Sequence, residues 1–178
     1  MALLLVNAMS AAESTGLRAL QEANRHVAAE ARNKVMQLRS EKSTNGLTPR
    51  AWTVLYYDPS VRMRTTIVKI GAVGEPRAEH PFRPFSRPDP KLAFDPTNVR
   101  IDSDEALKVA QKDRLLDKVK LTSSRVTLEL WEEAPVWKIE FWAEKTHDPK
   151  RSPDIGRIFV DVREPKVVNR DLHIDRAE

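Results

Sequence analysis

The sequence predicts an α+β protein built from two tandem units, each a helix followed by antiparallel strands, packed as one body with the helices on one sheet face. Three observations carry this. A helix start is written at Asp102-Ser103-Asp104-Glu105, where an acidic N-cap precedes Ala106, Leu107, Val109 and Ala110. Apolar and polar residues then alternate with a period of two through several short runs, the pattern of half-buried strands. The pattern also repeats: Pro49-Arg50-Ala51-Trp52-Thr53-Val54 answers Ala134-Pro135-Val136-Trp137-Lys138-Ile139, and Gly74-Glu75-Pro76-Arg77 answers Arg163-Glu164-Pro165-Lys166. Coincidence among short strand patterns is the competing reading of that repeat.

The second unit, residues 101–174, is the more clearly written. The helix begun at Asp102 is expected to end before Leu121, and Thr122-Ser123-Ser124 breaks the chain. Val126, Leu128 and Leu130 alternate with polar residues; a turn at Glu132 to Pro135 follows. Trp137, Ile139 and Phe141 then fall on one face of the next strand, with Lys138, Glu140 and Trp142 on the other. Gly156 leads into Ile158, Val160 and Val162, and Pro165, which cannot donate to a ladder, ends that run. Leu172 and Ile174 add a last short strand.

Three segments here, Ser103 to Ala110, Ala134 to Phe141 and Gly156 to Val162, resemble the PepSY domain, a family found in propeptides of thermolysin-like metallopeptidases and in many exported bacterial proteins. The likeness covers about 65 residues. It departs from the family at Arg163-Glu164-Pro165-Lys166, where a glycine turn is usual. The resemblance implies a non-enzymatic module of exported type that binds or inhibits a peptidase or another envelope protein.

The first unit is read over residues 13–76. From Glu13 to about Lys42, Leu17, Leu20, Val27, Ala31, Val35 and Leu38 recur at helical spacings, which predicts one long amphipathic helix with Ser14 or Thr15 as its cap and Asn45-Gly46 as its exit. Its Ala-rich stripe and mixed polar face favour core packing over a membrane surface. Strands are expected at Trp52 to Tyr57 and from Arg64 to Val73, joined by the Asp58-Pro59-Ser60 turn. Trp52 and Trp137 hold matching places and are read as core, with a ligand platform as the alternative.

Residues 77–100 form a Pro-rich crossover; with Pro76 the segment holds six of the chain's twelve prolines and should run extended outside any ladder. Phe82, Arg83, Phe85 and Arg87 make it a candidate partner-binding strip, because a stiff backbone costs little entropy to order. The favoured reading is a fastener, with Phe82, Phe85 and Phe94 plugging the seam between the units.

Composition narrows the classes. Thirty basic residues against 26 acidic give a net charge of +4, with both signs interspersed, which is an ordinary solvated surface more than a nucleic-acid footprint. The preferred protein or peptide binding would run through the extended strip or by strand addition at a sheet edge, and an anion or nucleic-acid binder using Arg77, Arg83, Arg87 and Lys91 stays as the alternative. There is no cysteine, and His26, His80, His147 and His173 are scattered, so neither a thiolate nor a histidine metal site is expected. No GxSxG, P-loop or GxGxxG occurs; no cofactor and no catalytic residue is assigned. Residues 1–12 are too short to span a bilayer and resemble the end of a secretory signal, which would place the protein in the periplasm or outside the cell. Docking of these residues as first helical turns, in a cytoplasmic protein, is the other reading.

Overall fold

The computed structural model describes residues 15–81 and 88–178. Helix α1 spans Gly16–Ala23 and helix α2 Ser103–Gln111. Strands β1 (Val35–Ser40), β2 (Trp52–Tyr57), β3 (Thr65–Ile70) and β4 (Arg77–Glu79) lie between the helices in sequence. Strands β5 (Leu121–Trp131), β6 (Ala134–Ala143), β7 (Asp154–Asp161) and β8 (Val167–Leu172) follow α2.

All eight strands join one sheet in the order β4-β3-β2-β1-β5-β6-β7-β8, with every pair antiparallel. This overturns the expected tandem of α+β units. The first strand after each helix pairs with the other along Gln37 to Arg39 and Glu129 to Thr127, so no boundary divides the sheet. The helices have only eight and nine residues, and the molecule is far richer in strand than the expectation allowed. The residues matching the PepSY segments become α2, β6 and most of β7 within this single sheet.

The long helix expected over 13–42 is also corrected. The helix stops at Ala23, two short 3-10 turns carry the chain to Ala31, and Val35 opens a strand. A β-bulge between Val35 and Gln37 is the reason for the misreading. One extra residue breaks the two-residue pleat, so Val35 and Leu38, three apart, both point inward and imitate helical spacing.

The crossover likewise differs from expectation, since Arg77–Glu79 pairs with β3. Beyond it, Asp89 and Asp95 each precede a proline and accept the N–H two residues on, from Lys91 and Thr97, which sets two 3-10 turns. Phe94 is buried and bridges to Val35 through paired backbone hydrogen bonds.

Both helices pack on the same sheet face. α1 lies against β1, β2 and β3, and α2 against β6 and β7. Beneath them Trp52, Val54, Tyr56, Leu38, Val126, Leu128, Trp137, Ile139, Phe141 and Ile158 form one core. The alternation expected for Trp137, Ile139 and Phe141 is the one seen, and both Trp52 and Trp137 are core residues. The helices meet N-terminus to N-terminus. Ser103 Oγ accepts from Gly16 N–H at 2.7 Å, and Asp102 Oδ1 accepts from both Leu17 N–H and Ser103 N–H. Thr15, at the α1 N-cap, makes no side-chain cap. Glycine is required at position 16: a Cβ there would stand 2.7 Å from Trp137 Cη2 and 3.1 Å from Ser103 Cβ.

Candidate binding face

With both helices on one side, the other sheet face carries no helical layer among the described residues. Residues of alternate parity fill it in ordered rows. One row crosses six strands as Lys69, Thr53, Arg39, Thr127, Lys138 and Phe159. A second runs Ile67, Leu55, Gln37, Glu129, Val136 and Asp161; a third runs Arg125, Glu140, Arg157 and Asp171.

Most charges in these rows are matched across strands. Glu129 accepts from Gln37 Nε2 at 2.7 Å and is ion-paired with Lys138. Arg157 donates twice to Asp171 Oδ2, at 2.9 and 2.7 Å, and Lys69 lies 2.9 Å from Glu79. The hydrogen bond from Arg157 holds the Asp171 carboxyl below the ordinary range. Such exposed pairs contribute little stability each, and their effect is to fix the register of the face.

Two aromatic positions stand out of this ladder. Trp131 stacks on Phe159 with ring centroids 5.1 Å apart, covering one end of β5 and β7. At the far end of β6, Lys42 Nζ sits 4.2 Å and the Arg125 guanidinium 5.2 Å from the centre of the Trp142 ring. Beside them an open depression of about 480 Å³ is lined by Arg39, Ser40, Glu41, Lys42, Thr53 and Arg125. Among the described residues neither Arg39 nor Lys42 has a carboxylate within 4.0 Å, and Arg125 reaches Glu140 only at 3.8 Å. Partial burial, then the nearby Arg125, lower the Lys42 ammonium below its usual value.

No family model, curated protein or solved structure matches this chain.

Phe82, Arg83, Phe85 and Arg87, the candidate strip, lie outside the described residues. The two flanking cations of the alternative reading, Arg77 and Lys91, are exposed on β4 and on a 3-10 turn, away from the Arg39 depression by sequence and strand order. Arg39 and Lys42 escaped sequence reasoning because they were placed on a helix, and Arg125 because the strand was read only from Val126 onward. Thr53 and Trp142 were legible as outward strand positions, and only the pairing of β1 with β5 brings Arg125 to Arg39.

The sheet edges are blunted. β4 is three exposed residues long, and β8 carries a bulge near Val168 and an Arg170 ion-paired to the buried Asp113. Short, bulged and charged edges resist strand addition.

One polar cluster has the composition of a catalytic site. Asp58, buried at 2% exposure, accepts from Thr66 Oγ1 at 2.6 Å and from Ser60 Oγ at 2.5 Å, and Thr66 Oγ1 lies 3.1 Å from His80 Nδ1. The wiring runs the wrong way for a nucleophile. Thr66 spends its single proton on Asp58, so His80 must donate to Thr66 rather than accept from it, and Thr66 is wholly buried. The cluster is a closed turn lock. Among the described residues no group of three His, Asp or Glu side chains is arranged to hold a metal, and no helix is long and apolar enough to cross a membrane.

Proposed function

We propose that the protein is a non-enzymatic binding module that holds a protein or peptide against the uncovered sheet face. The observation that carries this is the two-sidedness of the sheet: one face is sealed by α1 and α2, while the other presents ordered rows of polar and ionic side chains with Trp142, Arg39, Lys42 and Arg125 gathered at one end. A broad face with registered side chains suits an extended ligand better than a small molecule, which needs enclosure. The blunted edges favour the face over strand addition. The nucleic-acid alternative is disfavoured because base stacking needs free rings, and Trp131 and Trp142 are already engaged by Phe159 and by Lys42 with Arg125. The PepSY resemblance extends the reading to an exported protein whose partner is a peptidase or another envelope protein.

The test is peptide selection followed by footprinting. Peptides chosen from a random display library for saturable binding to the full chain should protect Leu55 and Trp142 from hydroxyl-radical oxidation. Protection confined to α1 and α2, or a library without a saturable binder, overturns the proposal.

A further inference from the structure

We propose that the depression walled by Arg39, Lys42 and Arg125 takes side-chain carboxylates of an acidic peptide. This deepens the reading of the uncovered face as a binding surface and rests on it.

The four carboxylates in the central rows are spoken for: Glu129 by Lys138 and Gln37, Asp171 by Arg157, Glu140 by the looser approach of Arg125, and Asp161 by the backbone N–H groups of Arg163 and Glu164. Against that matched background Arg39, Lys42 and Arg125 gather around one depression; among the described residues Glu41 is the acid in its wall, and Asp154, opposite Trp142 on β7, attracts Lys42 from outside it. Like charges held together in the free protein repel, and an anion entering between them relieves that repulsion.

Geometry narrows the anion. Arg39 stands on β1 and Arg125 on β5, and these strands are hydrogen-bonded neighbours, so two guanidinium groups approach from one side while Lys42 reaches in from just beyond β1. Planar guanidinium groups match carboxylates by paired N–H donors. The Trp142 ring lies under Lys42 and Arg125 and keeps both cations over the sheet. The depression is wide enough for one or two acidic side chains and open enough to let the backbone that bears them continue along the face. A base stacking on the cation-bearing face of Trp142 would have to displace Lys42 and Arg125, which favours a peptide over a nucleic acid strand.

N-acetyl-tetraglutamate amide is the probe, titrated into the ¹⁵N-labelled full chain at low ionic strength. Saturable binding that shifts the Trp142 indole N–H is expected, with affinity falling at least about fivefold in Arg39→Gln and in Lys42→Gln but unchanged in Lys112→Gln, at the end of α2 on the opposite side of the sheet. All three side chains are exposed, so unchanged thermal melting confirms that the variants fold. Equal loss in Lys112→Gln, no loss in the other two, reproduction of the shift by acetate at the same carboxylate concentration, or tighter binding of a dodecathymidylate strand at the same residues each overturns the proposal. Should the library of the preceding test return only neutral peptides that protect the face, this inference fails and the general reading survives.

Discussion

Asp102 Oδ1 accepts the backbone N–H of Leu17 at 2.9 Å although 85 residues separate them in the chain. The same oxygen accepts from Ser103, so one carboxylate serves the first turns of both helices. Each free helix N-terminus leaves orphan donors and a partial positive charge. Losing one such cap costs about 1 kcal/mol, and here two ends lose theirs together. Asp102→Ala should therefore lower stability by roughly 2 kcal/mol, with Asp102→Asn intermediate because it keeps the acceptor and drops the charge. Urea unfolding of the three chains measures this; an alanine variant as stable as the parent would show that the helices are held by packing alone.

That double cap marks how far the fold could be read beforehand. Asp102 announces α2 locally because an N-cap is a feature of adjacent residues. Its bond to Leu17 is a property of the assembled sheet and leaves no trace in spacing. Alternation exposed β6 because Trp137, Ile139 and Phe141 repeat on one face without interruption. At β1 the bulge after Val35 destroyed the same signal, and a strand at the centre of the sheet passed for helix. Losing β1 also hid the β1 and β5 pairing that fuses the sheet and draws Arg39 toward Arg125.

Trp137 is wholly buried, and its Nε1 donates to the Ile101 carbonyl at 2.8 Å, directly beneath the close approach of Gly16. Trp137→Ala should cost about 3 to 5 kcal/mol, the sum of a large cavity and an orphaned carbonyl. Trp137→Phe keeps most of the volume, loses the hydrogen bond and should cost less than half as much. Thermal melting separates the two, and an alanine variant that melts with the parent is incompatible with a core tryptophan.

Acid should weaken the Asp58 turn. Burial acts to raise the Asp58 carboxyl, but hydrogen bonds from Ser60 Oγ, Thr66 Oγ1 and Ser60 N–H together outweigh it and hold it below the ordinary value. Because the folded value is the lower one, the ionised carboxylate stabilises the native state above the unfolded value of about 3.9, and that contribution is lost as the pH falls through the folded value. Asp58→Asn should be less stable than the parent at pH 6 and should lose less on going to pH 3. Parallel pH dependences in urea would remove Asp58 from the acid response.

The turn joining β5 to β6 is strained. Trp131 pairs with Ala134, leaving the two-residue turn Glu132-Glu133, whose φ angles are +50° and +67°. Two residues of positive φ are what this hairpin turn demands, and Asn-Gly meets the demand without the Cβ penalty. Replacing Glu132-Glu133 by Asn-Gly should raise stability by about 1 to 2 kcal/mol and remove two adjacent like charges as well. Thermal melting is the readout; a variant no more stable than the parent would mean that the glutamates make compensating contacts.

Thr127 and Thr66 supply an internal contrast. Both are buried at 1% exposure or less, but Thr66 Oγ1 is bonded to Asp58 and His80, whereas Thr127 Oγ1 has no hydrogen-bond partner among the described residues. An unsatisfied buried hydroxyl has given up its water for nothing, at a cost of about 1 kcal/mol or more. Valine keeps the β-branched shape that strands favour and removes the hydroxyl. Thr127→Val should therefore stabilise the protein by about 1 kcal/mol, while Thr66→Val, which strips Asp58 of a donor, should destabilise it by about 1 to 3 kcal/mol. Opposite signs for two identical substitutions, read in the same urea titration, are required; a loss of stability at both positions would show that Thr127 is hydrogen-bonded in solution.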